Sequence, residues 1–187
     1  LNIMFKIIDS KQPDYMAVAF DVHQPTFRHE MFKDYKGTRK PMMEELREQV
    51  PVIKELLQKM NITTVELPGY EADDVIGTLS KKGEKAGMEV DVISGDRDLL
   101  QLASDHITIC IPKTKKGQTT VEEYNTEGVR KLYKVTPTEF IDVKALMGDS
   151  SDNIPGVPGI GEKGATAIIS QFGSIENAYD HADEISN

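Results

Sequence analysis

The chain has 187 residues, 39% of them hydrophobic, which suffices for one sizeable core with a small appended subdomain. Its single cysteine, Cys110, excludes an internal disulfide and points to a reducing compartment, and no membrane-length apolar run or signal peptide is recognisable. A net charge of −9 is the wrong sign for an ordinary nucleic-acid binder, an objection that weakens where acids serve bound cations.

Residues Leu1–Ser10 carry Ile3, Ile7 and Ile8 at helical spacing and lead directly into YMAVAFD (Tyr15–Asp21). That near-continuous apolar run, ending in an acid, suits a buried parallel strand. A helix in that position usually returns from an earlier parallel strand, so the expectation is that N-terminal sequence, with a first strand, is missing ahead of Leu1. Met43–Met60 reads as a helix with Leu46, Val50, Ile53 and Leu57 on one face, kinked or divided at Pro51. Then come a strand over Ile62–Leu67, a helix over Ala72–Ala86 stopped by Gly87, and a strand at VDVIS (Val90–Ser94). A short helix over Leu99–Ala103 precedes a strand at Ile107–Ile111. KTKKGQ (Lys113–Gln118) turns the chain into another strand, Thr119–Tyr124. This alternation predicts an α/β core of mostly parallel sheet flanked by helices.

Beyond residue 124 the pattern is helical. TPTE opens a helix over Thr136–Met147, with Pro137 in its first turn and Glu139 three residues after Thr136. A Gly/Pro hairpin, Ile154–Gly161, leads into a helix over Glu162–Phe172. The expected division is therefore a core over 1–124 and a helical subdomain over 125–187.

Three short acidic motifs stand out: Glu71, Asp73 and Asp74 in GYEADD, Asp96 and Asp98 in SGDRD, and Asp149 and Asp152 in MGDSSDN. Asp21, Asp96 and Asp98 directly follow predicted strands, and Glu71, Asp73 and Asp74 open a helix after one, so these groups can share the carboxyl rim of a sheet, where α/β ligands bind. Crowded carboxylates repel without cations, and hard divalent ions prefer oxygen ligands. Convergence of the motifs would suit a pair of Mg²⁺-class ions in phosphate chemistry. The alternative for each motif is ordinary: acids in a first helical turn complement the dipole, and Asp in a turn caps backbone groups.

FD at Phe20–Asp21, TFRHEMFKDYKGTR at Thr26–Arg39, YEADD at Tyr70–Asp74, SGDRDLLQL at Ser94–Leu102 and GDSSDNIPGVPGIGEK at Gly148–Lys163 closely resemble the 5′-nuclease domain of bacterial DNA polymerase I, within the flap-endonuclease superfamily. The likeness runs over essentially the whole chain. It implies a PIN-like α/β core, a helical arch over residues 28–50, and a helix-hairpin-helix subdomain. It also implies cleavage of 5′ flaps and 5′ ends by two or more Mg²⁺ or Mn²⁺ ions. Metal-site acids carried over residue by residue are Asp21, Glu71, Asp73, Asp74, Asp96, Asp98, Asp149 and Asp152. The family's first strand, ending in Asp-Gly-Asn, would lie upstream of Leu1; its absence puts catalysis by this chain in question.

The resemblance also gives the basic segment Arg28–Lys40 a role, with Arg28 as a DNA contact, Lys36 and Arg39 against the scissile phosphate and Tyr35 stacking on a base. The alternative is a solvated amphipathic helix with Phe27 and Phe32 in the core. Gly156, Gly159 and Gly161 with Lys163 would grip duplex backbone at a helix N-terminus, with K⁺ held through carbonyls. The implied partner is DNA with a 5′ flap, nick or 5′ end, in a cytoplasmic, nucleoid-associated monomer linked covalently to polymerase domains. Two rivals are a module that binds branched DNA without cutting it and a free-standing 5′-3′ exonuclease. A Mg²⁺ phosphatase would need an acidic DxD after the first strand, whereas Asp21 is followed by Val22 and His23.

Overall fold

The computed structural model describes residues 1–185, so the last two residues of the expected helical subdomain lie outside it. The chain divides into two compact units, Leu1–Thr78 and Leu79–Asn187.

In the first unit, α1 (Asn2–Lys11) closes with Gln12 in the left-handed region, its N–H donating to Ile8. The run expected as a buried strand forms only β1 (Ala17–Ala19), and that strand is half exposed. It pairs in parallel with β2 (Thr63–Val65), Val18 opposite Thr64. A two-stranded ladder leaves both edges open, which keeps these residues from full burial. Between the strands lie α2 (Phe27–Met31), α3 (Glu44–Arg47) and α4 (Gln49–Lys59). The helix expected over Met43–Met60 is thus divided at Glu48. Pro51 sits in the first turn of α4, where its missing N–H would not have found a helical partner. Of the predicted apolar face only Leu57 is fully buried, and Leu46 is exposed. Asn61, with φ of 57°, reverses the chain so that Ile62 N–H donates to Leu57 over 2.9 Å and β2 follows α4 closely.

Helix α5 (Ala72–Lys85) runs through the division between the units. In the second unit β3 (Val90–Ile93), β4 (Ile107–Lys115) and β5 (Gln118–Tyr124) form one sheet in that order, parallel then antiparallel. The β-branched side chains of Ile107 and Ile109, with Cys110, are fully buried. Lys116 and Gly117 both take positive φ, the two-residue turn whose twist suits a hairpin. The short helix after β3 is a 3-10 turn, Arg97–Leu102.

The helical part begins with α6 (Thr126–Tyr133), capped by Asn125, whose side chain accepts from Gly128 N–H at 3.0 Å. The predicted capping box is present: Thr136 N–H donates to Glu139 at 2.7 Å and Glu139 N–H to Thr136 Oγ1 at 3.2 Å. It precedes α7 (Glu139–Met147), so the helix starts three residues later than expected, after the box. The chain continues through short strands β6 (Gly148–Asp149) and β7 (Ile154–Pro155) to α8 (Glu162–Phe172) and α9 (Ile175–Asp180). Val129, Phe140, Val143, Ala165 and Ile169 form the buried seam of α6, α7 and α8. Among the described residues no helix is long and apolar enough to cross a membrane.

Candidate metal and nucleic-acid sites

In the first unit the predicted acids gather at the start of α5. Asp21, just past β1, accepts from Ala72 N–H at 2.8 Å, and Asp74 accepts from Glu71 N–H at 2.9 Å. Both acids therefore satisfy backbone donors that a helix leaves open at its N-terminus. They perform the ordinary capping role, with oxygens still available for more.

Arg28 reaches this cluster from α2, a short helix started by reciprocal bonds between Thr26 and His29. Its guanidinium pairs with Asp74 through two bonds, 2.7 and 2.8 Å, and lies over the Phe27 ring. The bond to Asp74 outweighs burial and raises the Arg28 pKa further; in return Asp74 is held below the usual carboxylate range by Arg28, against burial and with help from Glu71 N–H.

Glu71 Oε2 accepts from Lys36 Nζ at 2.8 Å and from the Tyr35 hydroxyl at 3.1 Å. Tyr35 does not offer a free face for stacking. It is 5% exposed, meets His29 edge to face, and has the Lys36 ammonium 5.1 Å from its centroid. Lys36 itself holds a left-handed backbone, φ of 56°, a conformation that costs a non-glycine residue energy and clusters at functional positions. Between α2 and α3 the arch segment is a series of tight turns, with Arg39 exposed and its N–H bonded to Lys36. Phe27 and Phe32 are 39% and 38% exposed, so the alternative of an amphipathic helix with both rings in a core does not hold.

In the second unit two acidic motifs far apart in the chain meet. Asp96 follows β3 and caps the 3-10 turn by accepting from Asp98 N–H at 2.8 Å. Asp149, after α7, accepts from Ser151 N–H and Oγ–H at 2.8 and 2.6 Å and from Asp152 N–H at 3.3 Å. The Lys144 ammonium bridges them, 2.9 Å from Asp98 and 3.0 Å from Asp149. Burial would raise the Asp149 carboxyl, but the Ser151 bonds and the Lys144 charge override it and hold the group at about 2. Asp98 goes the other way: loss of solvent, with repulsion from Asp96 and Asp149, exceeds the help from Lys144 and pushes it up. Lys144 is raised, burial being overcome by its two carboxylates.

Sequence reasoning missed Lys144. Its placement one helical turn and a little before Asp149 was visible, but its second partner comes from a distant motif. Arg97, between the two acids of SGDRD, was missed too; it donates to the buried Tyr133 hydroxyl at 3.0 Å and ties the 3-10 turn to α6.

The hairpin glycines play different parts. Gly156 makes its close approach to this chain's own backbone: a Cβ there would lie 2.3 Å from the Met147 carbonyl carbon. Gly148, not singled out from the sequence, has φ of 70° and faces Gly156 equally closely. Gly159 has φ of 84° with open space around it, and Gly161 is the N-cap of α8, with no side chain over the first-turn donors. Lys163 is exposed in that turn.

Among the described residues no three His, Cys, Asp or Glu side chains come together in an arrangement that could hold a metal ion. The carboxylates instead pair with Arg28, Lys36 and Lys144. Mg²⁺-class ions use one or two protein carboxylates, with water and substrate phosphate completing the shell. An oxygen-only donor set that already gathers about a cation fits such ions.

Two family models match the chain: 5′-3′ exonuclease, N-terminal resolvase-like domain, over residues 1–134, and 5′-3′ exonuclease, C-terminal SAM fold, over residues 135–187. A DNA polymerase I of Bacillus caldotenax is 54% identical over 180 residues, covering 96% of this chain and 20% of that protein. The chain spans about a fifth of the length of the curated relatives it matches. A T5 5′-exonuclease with divalent zinc ions bound shares the fold at a TM-score of 0.76 and 28% identity, over 96% of this chain and 68% of that one. A bacteriophage T5 flap endonuclease in a pseudo-enzyme-product complex with DNA and metal ions matches at 0.76 and 28%, again over 96% and 68%.

Proposed function

The chain belongs to the 5′-3′ exonuclease family, and from that premise we propose that it is a structure-specific nuclease, hydrolysing phosphodiesters at 5′ flaps and 5′ ends of DNA with divalent metal. The observation that carries this reading is the meeting of Asp98 and Asp149 on one ammonium, in a chain whose likeness to 5′ nucleases runs through both acidic motifs. The residues that would hold metal are Asp21, Glu71, Asp73, Asp74, Asp96, Asp98, Asp149 and Asp152. Oxygen-only donors favour Mg²⁺ or Mn²⁺ over softer ions. Two such ions, when bound, supply an activated water and neutralise the leaving oxygen.

The chain's own groups supply the rest. Lys36 and Arg39 pair with the scissile phosphate, and Lys36 leaves Glu71 to do so. Arg28 adds a second cationic contact. The open N–H groups at Gly161 and the start of α8, with Lys163, take a duplex phosphate. No side chain in the Gly156–Gly161 hairpin reads base edges, so recognition follows backbone shape. K⁺ bound through hairpin carbonyls would reinforce that grip. Hydrolysis leaves a 5′-phosphate and a 3′-hydroxyl, as primer removal in replication and repair requires.

The parent protein is a polymerase that carries this domain covalently, in the cytoplasm at the nucleoid, as a monomer. The 54% identity to a DNA polymerase I, against 28% to the phage exonuclease, favours that parent over a free-standing nuclease. One observation favours a module that binds branched DNA without cutting: Asp74, Glu71, Asp98 and Asp149 are already paired with Arg28, Lys36 and Lys144. The two readings separate on a labelled 5′-flap DNA incubated with Mn²⁺ or with EDTA and run on a denaturing gel. Cutting near the junction with Mn²⁺ alone is expected. Metal-independent binding with no cutting would establish the binding module instead.

A further inference from the structure

Two anionic groups and one cationic group meet at Asp98, Asp149 and Lys144. Helix α7 fixes where Lys144 starts, because its neighbours Val143 and Leu146 are buried in the helical core. The side chain beyond that anchor retains 24% of its exposure. Lysine is a compact charge on a flexible four-carbon stem, able to leave its partners without moving the backbone. An arginine fork or a second acid in its place would lack that freedom.

We propose that Lys144 is a built-in counter-ion, which holds Asp98 and Asp149 together before metal arrives and competes with an incoming divalent cation for both carboxylates. This rests on the metal reading above. Lys144 is a positioning residue here, and its charge sets how tightly the pair takes metal. With Lys144 in place a divalent ion must enter beside a positive charge or displace it. With a neutral side chain the two carboxylates face each other unscreened, an arrangement costly without metal and strongly favourable to it. An ordinary structural ion pair behaves differently: its removal weakens the fold equally with and without metal.

The test is calorimetric titration of MnCl₂ into the 187-residue chain and its Lys144→Met variant, with thermal unfolding in EDTA and in Mn²⁺. The expected result is Mn²⁺ binding roughly tenfold tighter in the variant, the size of effect that removing one adjacent charge has on an ionic equilibrium. Its unfolding midpoint should fall in EDTA and gain more from Mn²⁺ than the parent's does. Should Lys144→Met be unfolded in EDTA, Lys144→Gln, which can keep a hydrogen bond to a carboxylate, is read with the same expectation. Recovery of folding by Mn²⁺ supports the proposal, and a variant unfolded in both conditions overturns it. Equal or weaker Mn²⁺ binding by folded variants overturns the counter-ion role alone. No Mn²⁺ binding by the parent chain at millimolar concentration overturns the metal reading, and this inference with it.

Discussion

Arg28 closes on Asp74 with two parallel hydrogen bonds of 2.7 and 2.8 Å, joining α2 to the first turn of α5. A fork of this kind holds direction as well as charge, so it fixes where the arch segment starts against α5. The side chains are 33% and 23% exposed, which limits the net contribution to about 1 kcal/mol after solvent screening. Arg28→Met should lower stability by roughly that amount at pH 7, read from the urea midpoint.

The same pair predicts a pH dependence. Asp74 binds its proton more weakly in the folded chain than in the unfolded one. Its contribution is therefore full above the ordinary value of 3.8 and is lost as pH falls through the depressed folded value. The gap between the parent chain and Arg28→Met should be constant from pH 7 to about 5 and narrow below about 4. Asp149, held at about 2, loses its own contribution in the same acid range, but it does so in both proteins and leaves the difference to Asp74. A gap that widened in acid would exclude the assignment.

Gly156 should tolerate no side chain. A Cβ would meet Met147 and Gly148 backbone atoms at 2.3 to 2.6 Å, and backbone cannot swing aside as a flexible side chain can. Gly156→Ala is expected to cost about 1–3 kcal/mol or to displace β7 from β6. Chemical denaturation measures the first outcome and amide chemical shifts of residues 148–157 report the second.

How legible this molecule was depends on how local each feature is. The capping box at Thr136 and Glu139 and the presence of strands from Val90 to Tyr124 follow from short-range pattern, and the structure bears them out; the turn expected over Lys113–Gln118 narrows to Lys116 and Gly117, because β4 runs on past Ile111 to Lys115, paired with Gln118. Burial was harder. Tyr15–Asp21 looked like an interior strand because its side chains are apolar, yet burial depends on neighbours that a local pattern does not contain. The stacking role that the resemblance implies for Tyr35 meets the converse difficulty: the ring lies among basic residues in sequence, while Glu71 and His29 enclose it in the fold. Lys144 has one partner close in sequence and one distant, so only the fold reveals its bridge.

Gly164 offers a stabilising change. It lies in the first turns of α8, and a Cβ there would meet only Ile160 Cγ2, at an ordinary 3.5 Å. Its backbone is helical and its surface exposed, so alanine removes chain entropy from the unfolded state at no steric cost. Gly164→Ala should raise stability by about 0.5–1 kcal/mol in urea titration. A loss of stability would mean that α8 needs the glycine for a close approach not seen in its surroundings.

Asp96 caps the 3-10 turn through one carboxylate oxygen, which accepts from Asp98 N–H, and the metal role proposed for its charge is separable from that cap. Asparagine keeps an acceptor oxygen for the cap and removes the charge; alanine removes both. Asp96→Asn should therefore stay near the parent's stability, whereas Asp96→Ala should lose about 1 kcal/mol. Both should reduce Mn²⁺-dependent flap cleavage by roughly 100-fold or more, the scale on which deleting one charged contributor acts. Urea midpoints and single-turnover cleavage on the same preparations distinguish the roles. If Asp96→Asn cleaves as fast as the parent, Asp96 is a cap and nothing more, and the metal set in this unit must be drawn from Asp98, Asp149 and Asp152 alone.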